Sequence, residues 1–229
     1  MLPYDVQLHS AGGRFTMHPF GGLYWHERKW LLVADLHLGK AAHFRKAGVP
    51  LPEGDDQATL DRLTRVMDHF SPDRLLILGD LFHSDLNRSW DGFVAWCRSR
   101  SEELHVVPGN HDRLSERRYQ DAGLRVEQEE VVEDGITLCH DPVGTNSAGD
   151  GYRIGGHVHP GVVLTGTGQQ RITLPCFVVG PRSTLLPAFG LRQGLFRVRP
   201  TPLQRIFACT PTSVLDVTGV SIPIGSRTR

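Results

Sequence analysis

Three uninterrupted apolar runs, each cut off by polar residues, constrain this chain more than any other feature. Trp30-Leu31-Leu32-Val33-Ala34 stops at Asp35, Leu75-Leu76-Ile77-Leu78 at Gly79-Asp80, and Leu104 to Val107 at Pro108-Gly109-Asn110. Such runs lack the alternation of a strand with one wet face, so both faces must be covered. Between the first two, Asp55 to Phe70 places Leu60, Leu63, Met67 and Phe70 at helical spacing behind Asp55 and Asp56, which read as caps. Trp90 to Arg100 reads as a second helix. Strand, helix, strand, helix, strand implies a mainly parallel sheet with helices packed on it. In such sheets ligands collect outside the carboxyl ends of the strands, so the polar residues that end the runs should converge on one crevice.

The rest of the chain has a different texture. Val6 to His9 and Leu23 to Trp25 read as short strands broken by Gly12, Gly13, Gly21 and Gly22. After Asn110 come short strand candidates around Val131, Ile136 to Cys139, Val162 to Leu164, Ile172 to Leu174, Phe177 to Val179 and Leu195 to Val198, which predict an antiparallel sheet. The expectation is an α/β sandwich: two sheets packed face to face with helices outside, in one domain over residues 1–229, with 221–229 a loose tail. At 229 residues, 39% hydrophobic, the chain is large enough to bury a real core. No stretch approaches the ~20 apolar residues of a membrane span, and Met1 to Ser10 shows no basic region followed by an apolar run. The four cysteines lie more than thirty residues apart, which leaves neither a metal knuckle nor a disulfide framework. The expectation is a cytoplasmic protein.

Overall charge is zero, but its distribution is lopsided. Residues 1–150 hold 16 Lys or Arg against 24 Asp or Glu, a balance of −8, whereas 151–229 hold nine Arg and a single acid, Asp216, a balance of +8. Either the halves lie side by side and neutralise each other, or metals offset some of the acids, or the arginines await a polyanion.

Each of the three buried runs delivers residues able to bind a divalent metal: Asp35 and His37, then Asp80, then Asn110 with His111 beside it. Further on, His140 follows the run Ile136 to Cys139, and His157 and His159 sit two apart. In an extended stretch residues two apart face the same side, which joins His37 to Asp35 and His159 to His157. Carboxylate, amide and imidazole without thiolate suit Mn²⁺, Fe or Zn²⁺, and fit two ions sharing a carboxylate better than a closed structural zinc site. Two such ions, ~3.5 to 4 Å apart, can hold a phosphoryl oxygen and provide hydroxide for in-line attack at phosphorus. His9, His18, His26, His69 and His105 read as ordinary surface or hydrogen-bonded histidines.

Asp35-Leu36-His37, Gly79-Asp80, Gly109-Asn110-His111-Asp112, His140 and Gly156-His157-Val158-His159 together resemble the five ordered motifs of the calcineurin-like metallophosphoesterases. The resemblance implies a four-layer αββα sandwich of two mixed sheets. It implies one metal held by Asp35, His37, Asp80 and His159, and a second held by Asp80, Asn110, His140 and His157. His111 would then contact the substrate phosphate and the leaving group, supported by Asp112, and Mn²⁺ is the preferred ion. The run Asp35 to Lys40, followed by Phe44-Arg45, Gly48 and Pro50-Leu51-Pro52, is similar to short bacterial members associated with an ATP-dependent DNA ligase and a helicase in DNA repair. His83 departs from the pattern, standing where many members carry Asp or Arg; it would touch substrate or hydrogen-bond a metal ligand. Lys40, Arg45 and Arg153 are further candidates for a phosphate, and the loop Asp141 to Tyr152 is a candidate gate. The expected function is a two-metal phosphodiesterase acting on DNA. The alternatives are a phosphatase or phosphodiesterase of small nucleotides, cyclic ones included, and a non-catalytic scaffold.

Overall fold

The computed structural model describes residues 4–8, 13–46, 48, 54–83, 89–144, 151–166 and 170–219. Pro50-Leu51-Pro52, His9, half of the candidate gate (145–150) and the tail 221–229 lie outside them.

The chain opens with an antiparallel meander, β1 (Tyr4–Leu8), β2 (Gly13–Met17), β3 (Leu23–Trp25) and β4 (Trp30–Val33). Then follow α1 (Lys40–Lys46), α2 (Asp55–Phe70), β5 (Arg74–Leu78), α3 (Ser89–Arg98), β6 (Glu103–Val107), α4 (Glu116–Asp121) and β7 (Arg125–Val126). β4, β5, β6 and β7 pair in parallel, completing a sheet in the order β1 to β7. The unbroken apolar runs are explained by two-sided burial. Leu32, Ala34, Leu76 and Leu78 point between the sheets, while Leu31, Val33, Leu75 and Ile77 point at the helices, against Leu60, Leu63 and Met67 of α2 and Phe93 of α3.

The second sheet comprises β8 (Glu130–Glu133), β9 (Ile136–Cys139), β10 (Tyr152–Gly155), β11 (Pro160–Thr165), β12 (Arg171–Val179), β13 (Ser183–Leu185), β14 (Phe196–Arg197), β15 (Arg205–Cys209) and β16 (Val214–Asp216). It is mixed rather than antiparallel, because β10 pairs in parallel with both β9 and β13, and β14 with β11. The two candidates Ile172 to Leu174 and Phe177 to Val179 form one nine-residue strand through Pro175. Proline's fixed φ suits extended backbone, and here β12 changes partners, from β11 up to Pro175 to β15 from Cys176 onward. The architecture is thus α/β, two mixed sheets flanked by helices, with α2, α3 and α4 packed on the first sheet. Ile136, Leu138, Ile154, Phe177 and Phe207 of the second sheet close the core between them.

The N-cap of α2 is Gly54, in the left-handed region at φ 90°, and no side chain caps the helix. Asp55 and Asp56 occupy the first turn, where the helix dipole favours carboxylates. Asp56 accepts the Gly39 N–H at 2.9 Å and the Ser89 hydroxyl, while Asp55 pairs with Arg192.

Phe177 is fully buried and pairs with Phe207 across β12 and β15. Phe177→Ala should destabilise the protein by about 3 to 5 kcal/mol, read as a lower denaturant midpoint at unchanged slope.

Candidate metal centre

Beyond the ends of β4 and β5 the backbone stays paired in an irregular ladder. Asp35 N–H donates to Gly79 C=O (3.1 Å), His37 N–H to Asp80 C=O (2.9 Å) and Leu38 N–H to Leu81 C=O (2.9 Å). Two apolar strands thereby set Asp35, His37 and Asp80 side by side at their carboxyl ends. The aim of the side chains does not come from a pleat. Asp35, His37, Asp80, His157 and His159 all have positive φ, from 48° to 69°, a region that costs a non-glycine residue on the order of 1 to 3 kcal/mol. Such backbone persists only where its surroundings over-determine it. Glycine makes the close approaches possible: a Cβ on Gly79 would lie 2.1 Å from His140 Nδ1, and one on Gly156 would lie 2.3 Å from Asp35 Oδ2.

The result is two clusters that share an edge. Ligand atoms of Asp35, His37 and His159 lie within 4.8 Å of one another, as do those of Asp80, His140 and His157. His157 and His159, two apart in sequence, therefore serve different clusters. His37 Nε2 and His159 Nε2 are 3.0 Å apart, and His140 Nε2 lies 2.9 Å from Asn110 Oδ1 and 3.0 Å from His157 Nδ1. Asp80 stands between the clusters, with Oδ2 3.8 Å from His37 Nε2 and Oδ1 3.6 Å from His140 Nε2. Backbone carbonyls face the other ring nitrogens: Leu78 C=O opposite His140 Nδ1 and Gly194 C=O opposite His159 Nδ1, each at 3.2 Å. An Nδ1–H donated there leaves an Nε2 lone pair directed into the cluster.

These donors fit cations. Asp35 is fully buried; its Oδ2 accepts the His157 N–H at 2.8 Å, whereas Oδ1 has no hydrogen-bond donor. His37 Nδ1 is likewise buried without a partner. A buried carboxylate oxygen without a donor is costly, and the His37 imidazole does not supply a charge. Burial first, then His159, Lys40, His83 and His111, push the His37 pKa down to about 2, so its ring is neutral. Each cluster would hold one divalent ion, the first with Asp35, His37 and His159, the second with Asn110, His140 and His157, and Asp80 would offer one oxygen to each.

Around this centre the other candidates take distinct places. The His111 N–H donates to Asp80 Oδ1 at 3.0 Å, and the His111 ring stacks on His83, 5.6 Å between centroids, and meets His37 edge-on at 5.7 Å. His83 stacks in turn on Phe44 of α1, next to Arg45. Asp112 accepts N–H bonds from Gly109 (2.9 Å), Leu81 (3.0 Å) and Phe82 (3.2 Å) and the Tyr119 hydroxyl (3.2 Å), so its carboxylate ties the loops after β5 and β6 together. Lys40 donates to Gln193 Oε1 near His37. Arg153 is not brought to the site. It is buried within β10, where Nη2 pairs with Glu130 and contacts Cys139 Sγ at 3.4 Å. The segment 189–194 also borders the centre: Phe189 N–H donates to Ala34 C=O, Gly190 N–H to Asp35 C=O, and Gly194 C=O faces His159. Its only sequence signal is a pair of glycines, Gly190 and Gly194.

Fold and donors together describe a metal-dependent phosphoesterase. The chain belongs to the calcineurin-like phosphoesterase family, whose model matches residues 29–174. Among solved structures it is similar to the Pseudomonas putida nuclease MPE, at 29% identity and a TM-score of 0.77, over 93% of this chain and 100% of that one. A looser likeness is to Yfce, a phosphoesterase from E. coli, at 14% identity and a TM-score of 0.46, over 82% of this chain and 98% of that one. No curated protein matches this sequence. No helix among the described residues is long and apolar enough to cross a membrane.

Because cations would offset lone pairs that the fold leaves unmatched, Mn²⁺ should stabilise the protein by about 2.7 kcal/mol at a concentration one hundred times its Kd. Thermal unfolding should show a matching rise in Tm, and Asp35→Ala should remove most of it. An Asp35→Ala protein with the full Mn²⁺ shift would rule out the first cluster.

Proposed function

We propose that this chain hydrolyses phosphodiester bonds of DNA with two metal ions. The observation that carries the reading is the pair of donor clusters meeting at Asp80, with the His111 imidazole at their edge. Likeness to a protein described as a nuclease, extending over nearly the whole of both chains, supports it. So does the arginine-rich second half, since phosphate contacts dominate affinity for nucleic acid.

Divalent ions at the two clusters, Mn²⁺ first, supply Lewis acidity for a phosphoryl oxygen and lower the pKa of water. The protein's own groups do the rest. Asp80 offers each cluster an oxygen and holds the His111 loop through the backbone N–H of that residue. His111 hydrogen-bonds the leaving oxygen and transfers a proton to it as the bond to phosphorus breaks. The Asp112 carboxylate fixes the loop that carries both Asn110 and His111.

Hydrolysis of an aryl phosphodiester, the matching monoester, and labelled single- and double-stranded DNA, after metal stripping and reloading with Mn²⁺, tests the reading. DNA cleavage should require metal. Asn110→Ala should weaken it by impairing the second cluster, and His111→Ala should slow it by about 10²- to 10⁴-fold. Turnover of small esters with DNA untouched would shift the function to small nucleotides. If nothing is cleaved although two ions bind, the catalytic reading falls in favour of a scaffold.

A further inference from the structure

A cavity of about 350 Å³ adjoins the first cluster, between α1, the start of α2 and the segment 191–194. His37 forms part of its wall, so whatever fills it lies beside the reacting phosphate. The walls are of two kinds. Leu36, Ala41, Phe44 and Leu191 give apolar surface, and Lys40 and Gln193 give polar groups. Phe44 also begins a row of rings, Phe44 to His83 at 5.9 Å and His83 to His111 at 5.6 Å, that runs from the cavity to the centre.

The charges in this cavity are unevenly matched. Asp55 is taken by Arg192, with Nε at 2.8 Å, and Asp56 by the Gly39 N–H and the Ser89 hydroxyl. Lys40 is half-buried, and its partner among the described residues is the neutral Gln193 Oε1. A partly desolvated ammonium without an acidic partner is a ready donor to a phosphate oxygen. A cavity of this volume, with apolar walls and few polar groups, is of the kind that takes a small organic ligand.

We propose that this cavity seats a nucleoside unit adjoining the scissile phosphate, its base and sugar against Leu36, Ala41, Phe44 and Leu191 and an adjoining phosphate oxygen on Lys40. The assignment rests on the phosphodiesterase reading above and names the substrate contacts of the same site. It makes the cavity, rather than the metals, the source of any preference for nucleotides over simple phosphate esters. Gln193 holds Lys40 in place, and the strained backbone of Arg192, at φ 54°, is held by the ion pair of its side chain with Asp55.

The test is calorimetric titration of the Mn²⁺-loaded full chain with inorganic phosphate and with nucleoside 5′- and 3′-monophosphates, beside a parallel assay of aryl phosphodiester hydrolysis. At least one of the nucleotides should bind about tenfold more tightly than phosphate or better, since stacking and burial of one base contribute on this scale. Ala41→Trp, which fills the cavity, should bring the ratio of the two affinities close to one on the same variant. Phe44→Ala should reduce it without adding bulk, in case the tryptophan is not tolerated. Equal binding of phosphate and nucleotides by the wild-type protein, or a ratio unmoved in both variants, overturns the proposal. A protein that binds nucleotides in this way yet cleaves no ester would keep the cavity assignment and discard the hydrolase reading. A protein that cleaves the aryl ester with no preference for nucleotides would do the reverse.

Discussion

Everything in this fold answers to the convergence of lone pairs at the ends of β4 and β5. Asp35 and Asp80 are almost wholly withdrawn from water, and their nearest side-chain neighbours are imidazoles. Burying carboxylates among acceptors is unfavourable unless positive charge or N–H donors are brought to them. The protein brings backbone N–H groups from distant loops, His157 to Asp35 Oδ2 and His111 to Asp80 Oδ1. Asp35 Oδ1 is left without a donor, and a cation supplies what the chain does not. The same two bonds do structural work, because each joins a loop of one strand end to the carboxylate of another.

Holding this arrangement requires backbone that ordinary strands cannot give. Five of the candidate ligands sit in the left-handed region, and the loops that carry them are braced from several sides. The Asp112 carboxylate gathers N–H groups from Gly109, Leu81 and Phe82, Asp56 holds Gly39, and the 189–194 segment lies along Ala34 and Asp35. Local strain is thus balanced by non-local hydrogen bonds, which is how sparsely populated backbone persists at functional sites. The buried strands behind supply the rigidity: their side chains are packed on both faces, so the strand ends cannot drift apart without opening the core.

What the sequence made legible was local. The three apolar runs and α2 are visible because their signal is a run or a period confined to one segment, and α2 spans the residues its periodicity predicts. Much of the set brought together at the centre was legible too, since Asp35, His37, Asp80, Asn110 and His140 follow apolar strands whose ends converge. What escaped depends on pairing between remote segments. Strands of two to four residues such as β10 and β14 carry no period that reveals parallel or antiparallel neighbours, and Pro175 read as a break because a missing N–H and a change of partner look alike in sequence. Pleat alternation was the wrong reason for grouping His157 with His159, since left-handed backbone sends them to separate clusters. Arg153 looked like a phosphate ligand only until β8 set Glu130 against it.

The lopsided charge can be resolved along the same lines. Two of the arginines in the basic half are matched internally by acids of the other half, Arg153 by Glu130 and Arg192 by Asp55. This is the neutralisation that side-by-side halves would give, and it withdraws those side chains from any role in capturing a polyanion. The centre behaves oppositely. Its imidazoles include a His37 held neutral by burial, and its acids are Asp35 and Asp80, so two divalent ions would bring more positive charge than those two carboxylates can offset. Attraction for phosphate would then arise also where the ions are bound, with Lys40 beside them as a partly buried cation lacking an acidic partner among the described residues. On this account the acids of the first half and the affinity for phosphate are not in conflict, because the buried carboxylates recruit the charge that the substrate meets.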